Sequence, residues 1–155
     1  MTKLNNILYK LEIAALIALL VLLLVIVIIE IILRYYGAPL YWSEEMARYL
    51  FIWLVMIGCA AGVKQNSHFK VDFIVNRFNP KLQKVIYVLG AIIGIIFLSY
   101  LLVYGVILCI KTGSVASPAL GIAQYYGYMA IPVGAFLMLV HFMFHIYNAF
   151  FNGGD

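Results

Sequence analysis

Two groups of side chains have residue types and spacings that could support chemistry. The first comprises Glu44, Glu45 and Arg48, two carboxylates and a guanidinium in close sequence, which is a pattern that an active site could use. The second comprises His141 and His145, whose spacing of four residues places both imidazoles on one helix face. Such a pair can bind a metal ion or present ligands to haem.

The histidine pair is weak support for a cofactor. Paired haem ligation needs imidazoles on opposing helices, and the third histidine, His68, lies in a basic loop. The sequence also shows no evident carboxylate or thiolate partner that would complete a metal site. We therefore expect no cofactor and no metal, and we predict that His141 and His145 serve helix packing or lie at the membrane interface.

The acidic cluster has a simpler reading as a helix start at a membrane surface. Ser43 is a plausible N-cap, and Glu44 and Glu45 then fall in the first turn, where the helix dipole favours negative charge. Glu44 and Arg48 are spaced to pair, but an exposed pair contributes only about 0.3–0.5 kcal/mol. That is too little to explain three charges at the start of an apolar run.

The apolar runs place both groups in a membrane protein. The chain has 155 residues, of which 66% are hydrophobic and 10% charged, whereas soluble domains carry about 25% charged residues. The runs are continuous, unlike the alternating strands of membrane barrels. We predict an all-α membrane protein with a single membrane domain, residues 1–155, and four transmembrane helices at about 13–33, 44–63, 81–110 and 125–147.

The basic residues indicate the orientation. Lys and Arg are concentrated in the N-terminal segment and in the loop 64–84, so both termini and this loop are predicted to be cytoplasmic. Apolar residues between the loop's charges indicate a short amphipathic interfacial segment between helices 2 and 3, the alternative being an irregular loop with aromatic anchors. The residues predicted to lie at the lipid interface are Lys64, His68, Lys70, Asp72, Arg77, Lys81 and Lys84. The net charge of +4 therefore reflects membrane edges and does not indicate nucleic acid.

Few residues could form a transport pathway or an active site within this chain. A self-contained transporter needs polar or charged groups at mid-membrane, where the main polar side chains are Ser99 and Tyr104, neither with an obvious partner. The sequence has no nucleotide-binding glycine loop and no nucleophile–base pair, so we expect no enzyme activity. The remaining signals suit contacts between helices or subunits: the ion-pair spacing of Glu30 and Arg34, and the small-residue spacings Gly58/Gly62 and Gly90/Gly94.

The segment Trp42-Ser43-Glu44-Glu45-Met46-Ala47-Arg48 resembles the Trp-x-Glu-Glu-x-x-Arg signature of the small membrane subunit of tripartite ATP-independent periplasmic (TRAP) transporters, the DctQ-like family. His68-Phe69-Lys70-Val71-Asp72 resembles that family's His-x-x-x-Asp, and Arg77 and Pro80 fit the same loop. Residues 117–122 and 131–134 resemble its third loop and fourth span. The resemblance covers nearly the whole chain.

This resemblance implies a non-catalytic small permease subunit in the bacterial inner membrane. In this family a sodium gradient drives the import of organic acids, a periplasmic protein captures the substrate, and a large membrane subunit holds the substrate and sodium sites. The small subunit is expected to form a heterodimer with the large subunit, to brace its scaffold and to contact lipid. The stretch 39–72 is most similar to small subunits of sialic acid systems, so sialic acid is favoured and C4-dicarboxylate comes next.

Within this resemblance, the acidic cluster is predicted to be a joint with the large subunit. Trp42 would anchor at the interface, while Glu44, Glu45 and Arg48 would fix the first loop and meet polar groups of the partner. Glu30, Arg34 and the four glycines are assigned to the same contact or to structural roles. Two alternatives remain open: a haem-binding electron-transfer subunit that uses His141 and His145, and a stand-alone homo-oligomeric exporter built around Glu30.

Overall fold

The computed structural model describes residues 2–65 and 79–151, and the regular elements of these residues are all helices, as predicted. Four stretches are long and apolar enough to cross a membrane, which confirms the predicted number of spans. The predicted amphipathic segment lies outside the described residues, as do His68, Lys70, Asp72 and Arg77. The helices are α1 (Thr2–Tyr35), α2 (Ser43–Lys64), α3 (Pro80–Thr112), α4 (Tyr125–Tyr128) and α5 (Ala130–Phe151).

A tight turn separates α1 from α2. Gly37 adopts a positive φ of 78°, and the N–H of Ala38 reaches back to the carbonyl of Leu33 at 2.9 Å. This left-handed cap ends α1, and Pro39 follows it closely. The turn returns the chain to α2 within a few residues, so the last turn of α1 lies near the first turn of α2.

The prediction that Ser43 caps α2 is wrong. Trp42 occupies the cap position without a side-chain cap bond, and Ser43 is already helical. The Ser43 hydroxyl instead donates to the carbonyl of Leu40 at 2.7 Å, and its N–H bonds the same carbonyl at 3.3 Å. The hydroxyl is thus used by the preceding turn, and Ser43 is fully buried there.

The helix α3 begins at Pro80, directly after Asn79. Pro80 occupies the first turn, where a missing N–H is tolerated, and Asn79 stands at the cap position. The Asn79 side chain makes no cap bond, but its backbone carbonyl accepts from the N–H groups of Leu82 and Gln83 at 2.8 and 3.1 Å.

The last span is interrupted at Met129, between α4 and α5. Pro132 has no N–H to donate to the carbonyl of Tyr128, four residues earlier, and its ring crowds that carbonyl. Pro132 therefore accounts for an interruption at the N-terminal end of the long helix.

The bundle has α2 and α5 at its centre. Helix α2 packs against α1 and α5, and α3 packs on the far side of α5, which gives the spatial order α1–α2–α5–α3. The core joins α2, α3 and α5 through Ala60, Val63, Leu98, Met138 and Phe142. In the most apolar window of each span, 6% of α1 and 11% of α3 is buried, against 33% of α2. The outer helices therefore present broad apolar faces to lipid or to a partner.

Two glycines set the closest approach of α2 to the last span. A Cβ at Gly134 would stand 2.6 Å from the Cβ of Met56, and one at Gly127 would stand 2.7 Å from Cε1 of Tyr49. Neither distance is compatible with a side chain, so both positions require glycine for this packing. The small-residue motifs predicted from sequence lie elsewhere, at Gly58/Gly62 and Gly90/Gly94.

Candidate functional site

The predicted cluster lies where the end of α1, the start of α2 and the loop 113–124 meet. Arg34 donates through Nη2 to Glu30, which confirms the predicted pairing of these two residues along α1. The same Nη2 donates to Glu44 of α2 at 3.0 Å. One guanidinium group thus joins the last turn of α1 to the first turn of α2.

The expected local pairing of Glu44 with Arg48 is wrong. Glu44 pairs with Arg34 because the Gly37 turn brings the end of α1 over the start of α2, where one guanidinium can serve two carboxylates. Among the described residues, Arg48 has no ion-pair or hydrogen-bond partner. Within the part of the chain that the structure describes, Arg48 is therefore an unpaired cation at the edge of the cluster.

Glu45 connects α2 to a distant part of the chain. Its Oε2 accepts the backbone N–H of Ala119 at 3.0 Å, and its Oε1 accepts the hydroxyl of Tyr49 at 3.3 Å. Both carboxylate oxygens are thus engaged within the chain. The Glu45 carboxylate therefore has a structural role, because both of its oxygens accept hydrogen bonds from groups of this chain.

The loop that Glu45 holds is itself a compact hairpin. Its two arms pair at Ala116 and Ala123, with the N–H of Ser117 bonded to the carbonyl of Ile122 at 2.7 Å. Gly121 turns the chain with a positive φ of 68°. The buried Ser117 hydroxyl accepts from the N–H of Leu120 at 3.3 Å, which closes the tip. The conformation of this loop is therefore fixed by its own hydrogen bonds.

A surface cleft of about 330 Å³ lies between α2 and this loop. Glu44 is paired with Arg34, and Glu45 is bonded to Ala119, so Arg48 is the charged side chain of the cleft wall that has no partner among residues 2–65 and 79–151. The cleft suits an anionic or hydrogen-bond-accepting group from outside the chain. Its lining residues are Tyr41, Glu44, Glu45, Arg48, Tyr49, Pro118, Ala119, Gln124 and Tyr128.

Exposed aromatic side chains lie at the turn between α1 and α2, and one of them, Tyr41, lines the cleft. Tyr35, Tyr36 and Tyr41 are almost fully exposed, and Trp42 is 40% exposed. Tyrosine and tryptophan at a span end are typical of a membrane–water interface, because their rings are apolar and their polar atoms can stay hydrated. This placement supports the interfacial role predicted for Trp42.

A second polar cluster, at the opposite end of α1, was not predicted from the sequence. His141 of α5 contacts Glu12 Oε1 through Nε2 at 2.7 Å and Asn5 Oδ1 through Nδ1 at 2.6 Å. The expectation that no carboxylate partner exists for the histidines is therefore wrong for His141. Both of its ring nitrogens are engaged, which leaves neither free to ligate haem iron, so the electron-transfer alternative gains no support.

The signal for this cluster was a polar stripe in the N-terminal segment. Asn5, Tyr9 and Glu12 follow the spacing i, i+4, i+7, which places them on one helix face once α1 is seen to begin at Thr2. Lys64 of α2 joins the stripe, donating to the carbonyl of Asn5 at 2.9 Å and to Oδ1 of Asn6 at 2.8 Å. Its amine also stands 4.4 Å from the centre of the Tyr9 ring.

The predicted small-residue positions differ in their surroundings. Gly58 faces α1, where an added Cβ would stand 3.7 Å from Cδ2 of Leu16. Gly90 meets nothing within 4 Å in the described part of the chain, so its face of α3 is open. Gly62 and Gly94 are half-buried. The roles of these glycines at a subunit interface stay predictions, as do those of Lys81 and Lys84 at the lipid interface.

Comparison with known proteins identifies related sequences. The chain matches the family model described as "Tripartite ATP-independent periplasmic transporters, DctQ component" over residues 23–152. This match contains the Arg34–Glu44 and Glu45–Ala119 contacts as well as the three spans that follow α1. It also includes His141, but not its partner Glu12.

Three curated relatives illustrate the range of similarity. The C4-dicarboxylate TRAP transporter small permease protein DctQ of Rhodobacter capsulatus is 30% identical over 109 residues, which cover 69% of this chain and 48% of that protein. The sialic acid TRAP transporter small permease protein SiaQ of Vibrio cholerae is 26% identical over 110 residues, covering 71% and 64%. The sialic acid TRAP transporter permease protein SiaT of Haemophilus influenzae is 29% identical over 109 residues, covering 70% and 18%. In each case the match spans less than two thirds of the relative's own length.

Proposed function

The chain belongs to the DctQ component family of tripartite ATP-independent periplasmic (TRAP) transporters, and we propose that it is the small permease subunit that braces the large membrane subunit of such a transporter. The observation that carries the proposal is the family match over residues 23–152. The exposed apolar faces of α1 and α3 support it, because a bracing subunit needs apolar surface left over for its partner.

The length of one relative supports a close association with a large subunit. The Haemophilus SiaT permease matches this chain over only 18% of its own length, so the similar segment is a small part of a much larger permease. A single chain that contains both the segment similar to this protein and the rest of the permease is consistent with the two lying side by side. We infer a heterodimer in which a separate large subunit occupies the position of the remaining SiaT sequence.

The site around Arg48 is proposed as one point of contact with that subunit. Arg34, Glu30, Glu44 and Glu45 satisfy one another or the chain's own backbone, which leaves Arg48 available in the cleft. A carboxylate or carbonyl of the large subunit would complete its hydrogen bonding. Glu44 and Glu45 would act by shaping the cleft, and Trp42 by holding its rim at the interface.

We propose that the transporter imports an organic acid with sodium across the bacterial inner membrane. Sialic acid is the favoured substrate, because the stretch 39–72 most resembles small subunits of sialic acid systems, and C4-dicarboxylate is the next candidate. A periplasmic binding protein would deliver the substrate. Both termini would face the cytoplasm, and the basic residues at that surface would contact anionic lipid.

Reconstitution tests the proposal. The chain, a large permease subunit encoded beside it and the corresponding binding protein are placed in liposomes, and uptake of labelled sialic acid and of a C4-dicarboxylate is measured with and without a sodium gradient. We expect uptake only when all three are present, and none with the chain alone. Uptake at an undiminished rate without this chain would overturn the bracing role. Transport by the chain alone that Glu30→Gln abolishes would instead support a stand-alone transporter.

A further inference from the structure

The Glu12–His141 contact is buried between the first and the last candidate span. Glu12 belongs to the first candidate span and His141 to the last, and their side chains are 5% and 0% exposed. Ionisable residues at such positions are costly to bury, and they persist where a partner compensates them. This pair takes no part in the proposed contact at Arg48. Arg48 belongs to α2 and lies near the C-terminal end of α1, whereas the pair lies near the N-terminal end of α1.

Both ring nitrogens of His141 face oxygen acceptors. Nε2 stands 2.7 Å from the Glu12 carboxylate, and Nδ1 stands 2.6 Å from the side-chain oxygen of Asn5. A neutral imidazole has one N–H donor, whereas an imidazolium has two. With Glu12 ionised, these two acceptors at hydrogen-bond distance are satisfied together only by the doubly protonated ring.

Glu12 has spare capacity as an acceptor. Its Oε2 is buried and has no hydrogen-bond partner among the described residues, although Oε1 is bonded to His141. An ionised carboxylate so deeply buried needs a positive charge in contact with it. The imidazolium supplies that charge at Oε1, and Oε2 remains open to accept a further proton.

The surroundings of the pair are few and defined. Lys64 of α2 contributes a positive charge that attracts Glu12, while bonding directly to Asn5 and Asn6. The adjoining Phe142 packs with Ala60 and Val63 of α2 and with Leu98 of α3, all apolar. Among the described residues, a charged group beside the pair is Lys64, which bonds to Asn5, the second partner of His141.

We propose that Glu12 and His141 form a buried proton-binding pair, in which a doubly protonated imidazole and an ionised carboxylate hold the N-terminal part of α1 against α5. The proton on Nε2 lies between the ring and Oε1, and the proton on Nδ1 is donated to Asn5. Moving the Nε2 proton to the carboxylate would give a neutral pair, without any change in the total number of protons. The ligand of this site is the proton itself.

Nitrogen NMR on the full chain in complex with its large subunit tests the proposal. In the variant His68→Gln/His145→Gln, His141 is the sole histidine of this chain, and labelling only this chain with ¹⁵N-histidine makes its ring the sole labelled imidazole. We expect both ring nitrogens to carry a proton at neutral pH. A spectrum with one unprotonated ring nitrogen would overturn the proposal, and this result does not depend on any substitution in the pair.

Substitution of the carboxylate tests its role in holding the charge. Glu12→Gln keeps the shape and an oxygen acceptor but removes the negative charge, so we expect His141 to lose one ring proton at the same pH. Glu30→Gln is the matched control, since it removes a carboxylate at the other end of α1 and should leave the His141 spectrum unchanged. Retention of both protons in Glu12→Gln, or their loss in Glu30→Gln, would contradict the assignment of Glu12 as the partner charge.

Discussion

The carboxylate of Glu45 accepts the backbone N–H of Ala119 at 3.0 Å, across 74 positions of sequence. The start of α2 is thereby tied to the hairpin that follows α3. The acidic cluster and the Ser117-Pro118 loop resemble two separate family motifs, but in the fold they are in direct contact. The cleft beside Arg48 exists because these two segments are held together.

The tie predicts a difference between the two neighbouring glutamates. Glu45→Ala should lower the free energy of unfolding by more than Glu44→Ala does, because it removes a charged acceptor from the backbone N–H of Ala119. Glu44→Ala should cost less than about 1 kcal/mol, since its pair with Arg34 is exposed and Arg34 keeps Glu30 as a partner. Thermal unfolding in one detergent measures both, and protease cleavage within 113–124 should accelerate only in Glu45→Ala. Equal losses in the two variants would contradict the tie.

Substitutions of Arg34 and Arg48 should have effects in different assays. Arg34→Gln removes the bridge between α1 and α2, so the isolated chain should unfold at a lower temperature. Arg48→Gln should change the stability of the isolated chain by no more than about 0.5 kcal/mol, because Arg48 has no described partner. Arg48→Gln should instead reduce the yield of the large subunit recovered with the tagged chain, and it should lower uptake. Full recovery and full uptake would mean that Arg48 does not contact the partner.

The glycine contacts predict a second contrast. Gly134→Ala places a Cβ 2.6 Å from that of Met56, so α2 and α5 must separate, at a cost of roughly 1–3 kcal/mol. Gly90→Ala is the control, because an added Cβ meets no atom of the described residues within 4 Å and alanine favours a helix. Thermal unfolding of the isolated chain should therefore show a loss only for Gly134→Ala. Poor recovery of the large subunit with Gly90→Ala, despite a stable chain, would support the predicted interface on α3.

The Glu12–His141 pair predicts non-additive losses of stability. Each of Glu12→Gln and His141→Gln leaves one member of the buried pair without its charge partner, whereas the double variant replaces both with amides that can bond each other. The double variant should therefore lose less stability than the sum of the single variants, by about 0.5–3 kcal/mol. Additive losses in a thermal unfolding cycle would show that the two side chains act independently.

Local sequence patterns predicted the features that depend on neighbouring residues. Continuous apolar runs predicted the four spans, and the i, i+4 spacing predicted the Glu30–Arg34 pair. Each of these follows from backbone geometry within a few residues.

Contacts between distant segments were beyond such reasoning. The partners Glu12 and His141 lie 129 residues apart, and nothing in either local sequence specifies the other. Glu44 was paired with the wrong arginine because helical spacing shows Arg48 as a neighbour, while the three-dimensional turn presents Arg34. The close packing at Gly127 and Gly134 could not be predicted from the sequence for the same reason, because a small residue shows its role only when the opposing side chain is known.

The spatial order of the helices has a consequence for synthesis of the chain. Helix α2 lies between α1 and α5, and α3 packs on α5, so one side of α2 and the packing face of α3 have no partner until the last span enters the membrane. Glu12 likewise waits for His141 while some 130 intervening residues are made. The newly made protein must therefore pass through an incomplete bundle. In that state the Glu12 carboxyl, which is buried in the finished fold, is either exposed to lipid or shielded by the insertion machinery. Release into the membrane as a finished fold can follow only after the final helix has arrived.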